Sequence, residues 1–178
     1  MSRFEAIDPK LWHCGQILHH LRLEHRIAVS RMGVNGHHEL HNLFDQSMFK
    51  RAWALDGKLA GIAGITGSAI SPLGFVWLTI TDAATRYPVS IIREARQFLD
   101  DAMIVKRELA TTILSGDDAA KRLAIFLGFH YEHAGPGGPA YSRLTRKILS
   151  RSIDGNPEIR MPMGAGYAIS LGYHLEDA

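Results

Sequence analysis

Cysteine is nearly absent: Cys14 is the only one in 178 residues. An internal disulfide is therefore impossible, which excludes a disulfide-stapled scaffold and favours a reducing compartment such as the cytoplasm. Net charge is also small, with 20 Lys and Arg against 18 Asp and Glu for a formal +2. So even a balance makes no electrostatic case for nucleic acid. Near the start, Arg3, Glu5, Asp8 and Lys10 interrupt any apolar run, and no signal or transit sequence is expected. Only one long uncharged run exists, the 23 residues Leu59–Thr81, long enough to cross a bilayer. Gly61, Gly64, Gly67 and Gly74, with Ser68, Ser71 and Pro72 among them, read instead as a turn between two apolar strands. No membrane span is expected.

What is present is a globular composition, 46% hydrophobic and 21% charged, of a length suited to one domain with an appendage. Phe4–Ile7 reads as a short strand. Asp8-Pro9 then suits an N-cap and N1 proline before a helix with Leu11, Cys14, Leu18 and Leu21 on one face. A second short helix carries Leu40, Leu43 and Phe44. Asp56-Gly57 is a strong hairpin signal between strands Phe49–Leu55 and Lys58–Gly67, and Phe75–Thr81 is a third strand.

The period then changes. Ser90–Val105 is helical, opened by Pro88, with Ile92, Ala95, Leu99 and Ala102 inward and Ile91 and Phe98 widening the stripe. Leu109–Leu114 is a strand. Ser115-Gly-Asp-Asp opens a helix with Ala119, Ala120, Leu123 and Leu127 inward, and Gly128 ends it. Phe129–His133 and Tyr141–Thr145 form a last hairpin. This order predicts an α+β domain over residues 1–147 with one parallel crossover in its middle.

Residues 148–178 form a separate extension in which Tyr167, Ile169, Leu171, Tyr173 and Leu175 alternate, predicting a strand over 167–175. A free apolar strand invites pairing, so the extension is expected to dock on a sheet edge and to favour a homodimer.

Seven of the ten histidines lie between His13 and His41. His37 and His41 are spaced i, i+4 with His38 between them, which suits zinc, but no cysteine accompanies them. A solvated histidine-rich face is the preferred reading, and no metal is expected. Cys14 faces the apolar stripe and reads as a small buried hydrophobe. Gly164-Ala-Gly-Tyr-Ala-Ile lacks the preceding strand that a dinucleotide fingerprint requires. The informative stretch is Phe75–Phe129: two parallel strands, each followed by a helix, place two helix N-termini on one sheet edge. Such an edge suits an elongated phosphorylated ligand.

Three segments carry a family resemblance: Ala-Leu-Asp-Gly-Lys-Leu-Ala-Gly-Ile-Ala-Gly (54–64), Trp-Leu-Thr (77–79) and Asp-Asp-Ala-Ala-Lys-Arg-Leu-Ala-Ile-Phe-Leu-Gly-Phe (117–129). With their flanking elements the chain resembles the GNAT N-acetyltransferase superfamily over residues 4–147, and more narrowly its divergent members encoded by tailed phages. The resemblance implies a mixed, mostly antiparallel sheet with flanking helices and a splayed central parallel pair. It implies acetyl-CoA or another acyl-CoA as cosubstrate and an amine as acceptor. For a phage protein it further implies a host-directed role in the host cytoplasm, with host proteins as targets.

Carried over residue by residue, the resemblance assigns Leu78, Thr79 and Ile80 to backbone contacts with the pantetheine. It assigns Thr85-Arg-Tyr-Pro-Val-Ser90 to the pyrophosphate loop, where Arg86, Val89, Ser90, Ile91 and Arg93 would hold the diphosphate. The family's loop glycines are missing there. Its general-acid tyrosine falls on Ala124, and its asparagine on Asp117, which the resemblance places among the cofactor-binding residues. Asp82 and Tyr131 are the substitutes for the acid. The rival reading is a GNAT-shaped module without turnover that docks on host proteins and inhibits them.

Overall fold

The structure is a computed structural model that describes residues 4–21, 26, 35–82, 84–134 and 141–147. The extension 148–178, with its expected strand and its Gly164 motif, lies outside these residues.

Asp56 and Gly57 both take positive φ, 51° and 76°, the left-handed pair that a two-residue hairpin turn needs. They join β2 (Phe49–Leu55) to β3 (Lys58–Thr66), and β1 (Phe4–Ile7) adds to β2. β4 (Leu73–Ile80) adds to β3, so the uncharged stretch 59–81 is two strands and their turn. Among the described residues no helix is long and apolar enough to cross a membrane. A crossover through α3 (Pro88–Met103) sets β5 (Glu108–Leu114) parallel to β4. Beyond β5 lies β7 (Tyr141–Lys147), with β6 (His130–Ala134) outermost, giving the order β1-β2-β3-β4-β5-β7-β6. One parallel pair in an otherwise antiparallel α+β sheet is the expected architecture.

Helices cover both faces, so the central strands are apolar on both sides. On one face α1 (Leu11–Leu18) and α2 (Gly36–Gln46) bury Cys14, Ile17, Leu40, Leu43 and Phe44 against Ala52, Ile62 and Trp77. Trp77 Nε1 donates to Ser47 Oγ (2.8 Å), and that hydroxyl donates to the Leu43 carbonyl (2.6 Å). On the other face α3 and α4 (Asp118–Phe126) pack on Ala63, Ile65, Val76, Leu109, Ile113 and Leu144.

Two inward faces differ from expectation. α1 starts at Leu11, not at Pro9, because Lys10 is the N-cap and His13 Nδ1 accepts from the Lys10 amide (3.0 Å). That cap turns the helix so that His13, Cys14 and Ile17 are buried while Leu11 is exposed. On α4, Ala119 is exposed and Ala124 takes the inner place. Gly128 does end α4, at a φ of 88°.

Lys106 is buried at 1% exposure between α3 and β5. Its Nζ donates to the carbonyls of Ser68 (2.6 Å) and Ser71 (2.7 Å). Arg107 and Glu108 amides both donate to the Pro72 carbonyl. These bonds clamp the β3–β4 turn onto the start of β5, and burial pushes the Lys106 pKa down.

Candidate functional site

β4 and β5 pair at only three positions, Leu73↔Glu108, Gly74↔Leu109 and Phe75↔Ala110. One further link follows, from Thr111 Oγ1 to the Val76 carbonyl (3.0 Å). The strands then part. β5 keeps its partner, since β7 pairs with it from Glu108 to Leu114. β4 keeps β3 as far as Ile80, and the edge facing β5 is open beyond Val76.

The register decides which groups face that opening. In an antiparallel ladder successive residues direct their peptide groups to opposite edges. Thr81 N–H donates to the Ala60 carbonyl (2.9 Å), so Thr81 and, two residues back, Thr79 are directed at β3. Leu78 and Ile80 are therefore directed at the opening. Thr79 itself is fully buried, and its hydroxyl has no partner among the described residues. Leu21 forms an isolated bridge with Thr81. Because Ala60 occupies the β3 side of Thr81, Leu21 bounds the far end of the open edge.

Under the gap, on the α3–α4 side, lies an apolar cavity with an open mouth. Val76, Leu78 and Ile80 of β4, Thr111 and Ile113 of β5 and inner residues of both helices line it. Four of its wall positions are alanine: Ala63, Ala95, Ala120 and Ala124. Nearly every lining group is a hydrocarbon, and the Thr111 hydroxyl is already bonded to Val76. Arg96 Nη2 donates to the Phe126 carbonyl (2.6 Å), tying α3 to the C-terminal end of α4.

Two helix N-termini stand near the opening. Pro88 is the first residue of α3, and the side chain of its N-cap, Tyr87, makes no capping bond. Ile91 N–H closes the first helical turn on the Tyr87 carbonyl (3.1 Å). Val89 and Ser90 thus carry the first-turn amides that helix geometry leaves without an intrahelical acceptor. Ile80, Ala84 and Ile91 pack together and hold this terminus against the end of β4. Arg86 and Arg93 are exposed, the latter against Glu94 at 3.4 Å. At α4 the Asp117 carboxylate accepts from the Ala120 amide (2.9 Å), an N-cap.

The sequence-predicted residues thus divide. Leu78, Ile80, Val89 and Ser90 lie along the open end of β4 and the start of α3, whereas the Thr79 peptide is directed at β3 and the Ile91 amide is taken by the Tyr87 carbonyl, so neither meets the expected contact. Asp82 is exposed just past β4, where its carbonyl accepts from the Thr85 hydroxyl (2.6 Å). Tyr131 is apart from the cavity: it lies on β6, separated from β5 by β7, about 10 Å away at ordinary strand spacing. The alanine walls were missed as a site, although Ala95 and Ala120 were read as inward. His37 and His41 stack at 4.2 Å, and among the described residues no group of three or more His, Cys, Asp or Glu could hold a metal.

No protein-family model and no curated protein matches the sequence. Solved structures do match. PaiA N-acetyltransferase from Thermoplasma acidophilum, in complex with coenzyme A, superposes with a TM-score of 0.60 at 11% identity, covering 82% of this chain and 99% of that one. A GNAT-family acetyltransferase from Streptococcus pneumoniae gives 0.54 at 15% identity, over 82% and 99%. The microcin C7 self-immunity acetyltransferase MccE, in complex with acetyl-CoA and AMP, gives 0.58 at 10% identity, over 82% and 92%. These likenesses show a common fold: the mixed α+β sheet with its flanking helices is that of the GNAT acetyltransferases.

Proposed function

We propose that the chain is an acyl-CoA-dependent N-acyltransferase. The observation that carries this reading is the parting of β4 from β5 after three pairs, which leaves peptide groups of Leu78 and Ile80 at the rim of an apolar cavity. An extended ligand with amides along its length would add to such an edge as a further strand does. Its phosphates would reach the Val89 and Ser90 amides, with Arg86 and Arg93 beside them, where the helix dipole favours anions. Coenzyme A and acetyl-CoA, bound by the similar PaiA and MccE structures, have that combination of pantetheine amides and diphosphate.

The acceptor amine attacks the thioester carbonyl carbon, forming a C–N bond, while a β4 edge amide supports the developing oxyanion. Collapse breaks the C–S bond, and the proton lost by the nitrogen ends on the departing thiolate. Ala124 supplies no acid for that proton, so approximation of the two substrates carries most of the rate. Asp82 is the titratable group we assign nearest the opening. The phage origin, the host targets and a homodimer through residues 167–175 belong to this proposal through the sequence resemblance and pattern alone.

One observation favours the second reading, a binding module without turnover: Ala124 stands where the resemblance calls for a tyrosine. Isothermal titration with CoA and acetyl-CoA tests the first reading. Saturable one-to-one binding of both is expected, and the absence of heat with either overturns it.

A further inference from the structure

We propose that the cavity beneath the β4–β5 gap holds the acyl chain of a donor longer than acetyl, so that the chain selects medium-length acyl-CoA. The inference rests on the acyl-CoA reading above and narrows its donor. Protein interiors are close-packed, and an open-mouthed void bordered by hydrocarbon is a feature that ligand sites share. Here the void exists because small residues face it from three elements: Ala63 on β3, Ala95 on α3, and Ala120 and Ala124 on α4.

The lining chemistry sets the occupant. A pantetheine arm carries two amides, and buried amides need partners. Leu78 and Ile80 offer such partners along the rim, whereas the walls under α3 and α4 offer none. Trp53, Phe98 and Leu99 line it as well; Thr111 is engaged with Val76, and the one buried polar side-chain atom of the lining without a partner is Trp53 Nε1. The part of a ligand that enters there is therefore mainly hydrocarbon, with at most one acceptor placed to meet Trp53 Nε1. In a thioester seated along the β4 edge, the acyl chain is the hydrocarbon segment next to the reacting carbonyl. The methyl of an acetyl group would leave part of the cavity unfilled.

The test measures dissociation constants of the full chain for CoA, acetyl-CoA, butyryl-CoA, hexanoyl-CoA and octanoyl-CoA. Full burial of each methylene strengthens binding by about fourfold, so hexanoyl-CoA should bind at least about tenfold more tightly than acetyl-CoA. Ala124→Phe, which fills the cavity from α4, should remove that advantage. Ala120→Leu serves if Ala124→Phe does not fold, as judged by circular dichroism. CoA binding with no dependence on chain length overturns the acyl-chain site and leaves the acyl-CoA reading standing. An advantage of hexanoyl-CoA that survives in the folded filled-cavity variant places the chain elsewhere and also overturns the site. Failure of CoA and every thioester to bind overturns both.

Discussion

His13 shows how one side chain sets the course of an element. It is 3% exposed, and its Nδ1 accepts the Lys10 amide, a bond that only the unprotonated nitrogen can make. Burial lowers its pKa; Asp8 opposes that shift and Lys10 adds to it. A lowered folded-state pKa means that the unfolded chain binds the proton more readily. The stabilisation is therefore complete above about pH 6.5, the ordinary histidine value, and is lost as pH falls through the folded value. Urea unfolding at pH 7.5 and at pH 5.5 should show a larger loss for the native chain than for His13→Gln, whose amide oxygen still accepts but does not titrate. Equal losses would remove His13 from the acid response. Cys14, the neighbouring residue, is wholly buried and its thiol is pushed up to about 12, so it stays protonated and unreactive near neutrality.

Among the elements, α3 carries the most weight for the site. Its N-terminus is proline-opened and lacks a side-chain cap, and Arg86 and Arg93 are the cations we assign to the diphosphate. Replacing both by alanine should weaken CoA by about tenfold or more, even allowing for solvent screening of exposed charges. Titration of the double variant checks this, and unchanged affinity would reassign the phosphate contacts. The start of α3 was legible because Pro88 constrains it, and the β2–β3 hairpin because Asp56-Gly57 adopts left-handed φ readily. The inward face of α1 was not, because a side-chain cap at His13 outweighed the apolar spacing that included Leu11. Nor was the gap: β4 stays apolar through Ile80 while β5 is already absent from its edge, so the parting leaves no mark on either strand's composition. The edge residues could be read only through the resemblance, and the cavity only as alanines at inward positions. Tyr131 was read, with Asp82, as a substitute for the missing acid. Sheet order, with β7 inserted between β5 and β6, moves it away from the cavity.

At the scale of the whole molecule, the sheet consists of an antiparallel run β1–β4 and a second run β5–β7–β6. Amide hydrogen exchange should reveal this division. β2 and β3, each paired along both edges, should be the slowest to exchange, and Leu78 and Ile80 should be fast for strand residues until CoA is added. Uniform protection of β4 with and without CoA would contradict an open edge. The short seam between the runs also bears on how the fold melts. Three backbone pairs, one threonine bond, the Lys106 clamp and the covering helices are what couple the two halves. A molecule so joined has a seam at which the halves can separate before either unravels. A ligand lying across the gap would act as the missing rungs of the ladder, turning two loosely coupled folding units into one that melts in a single sharper transition.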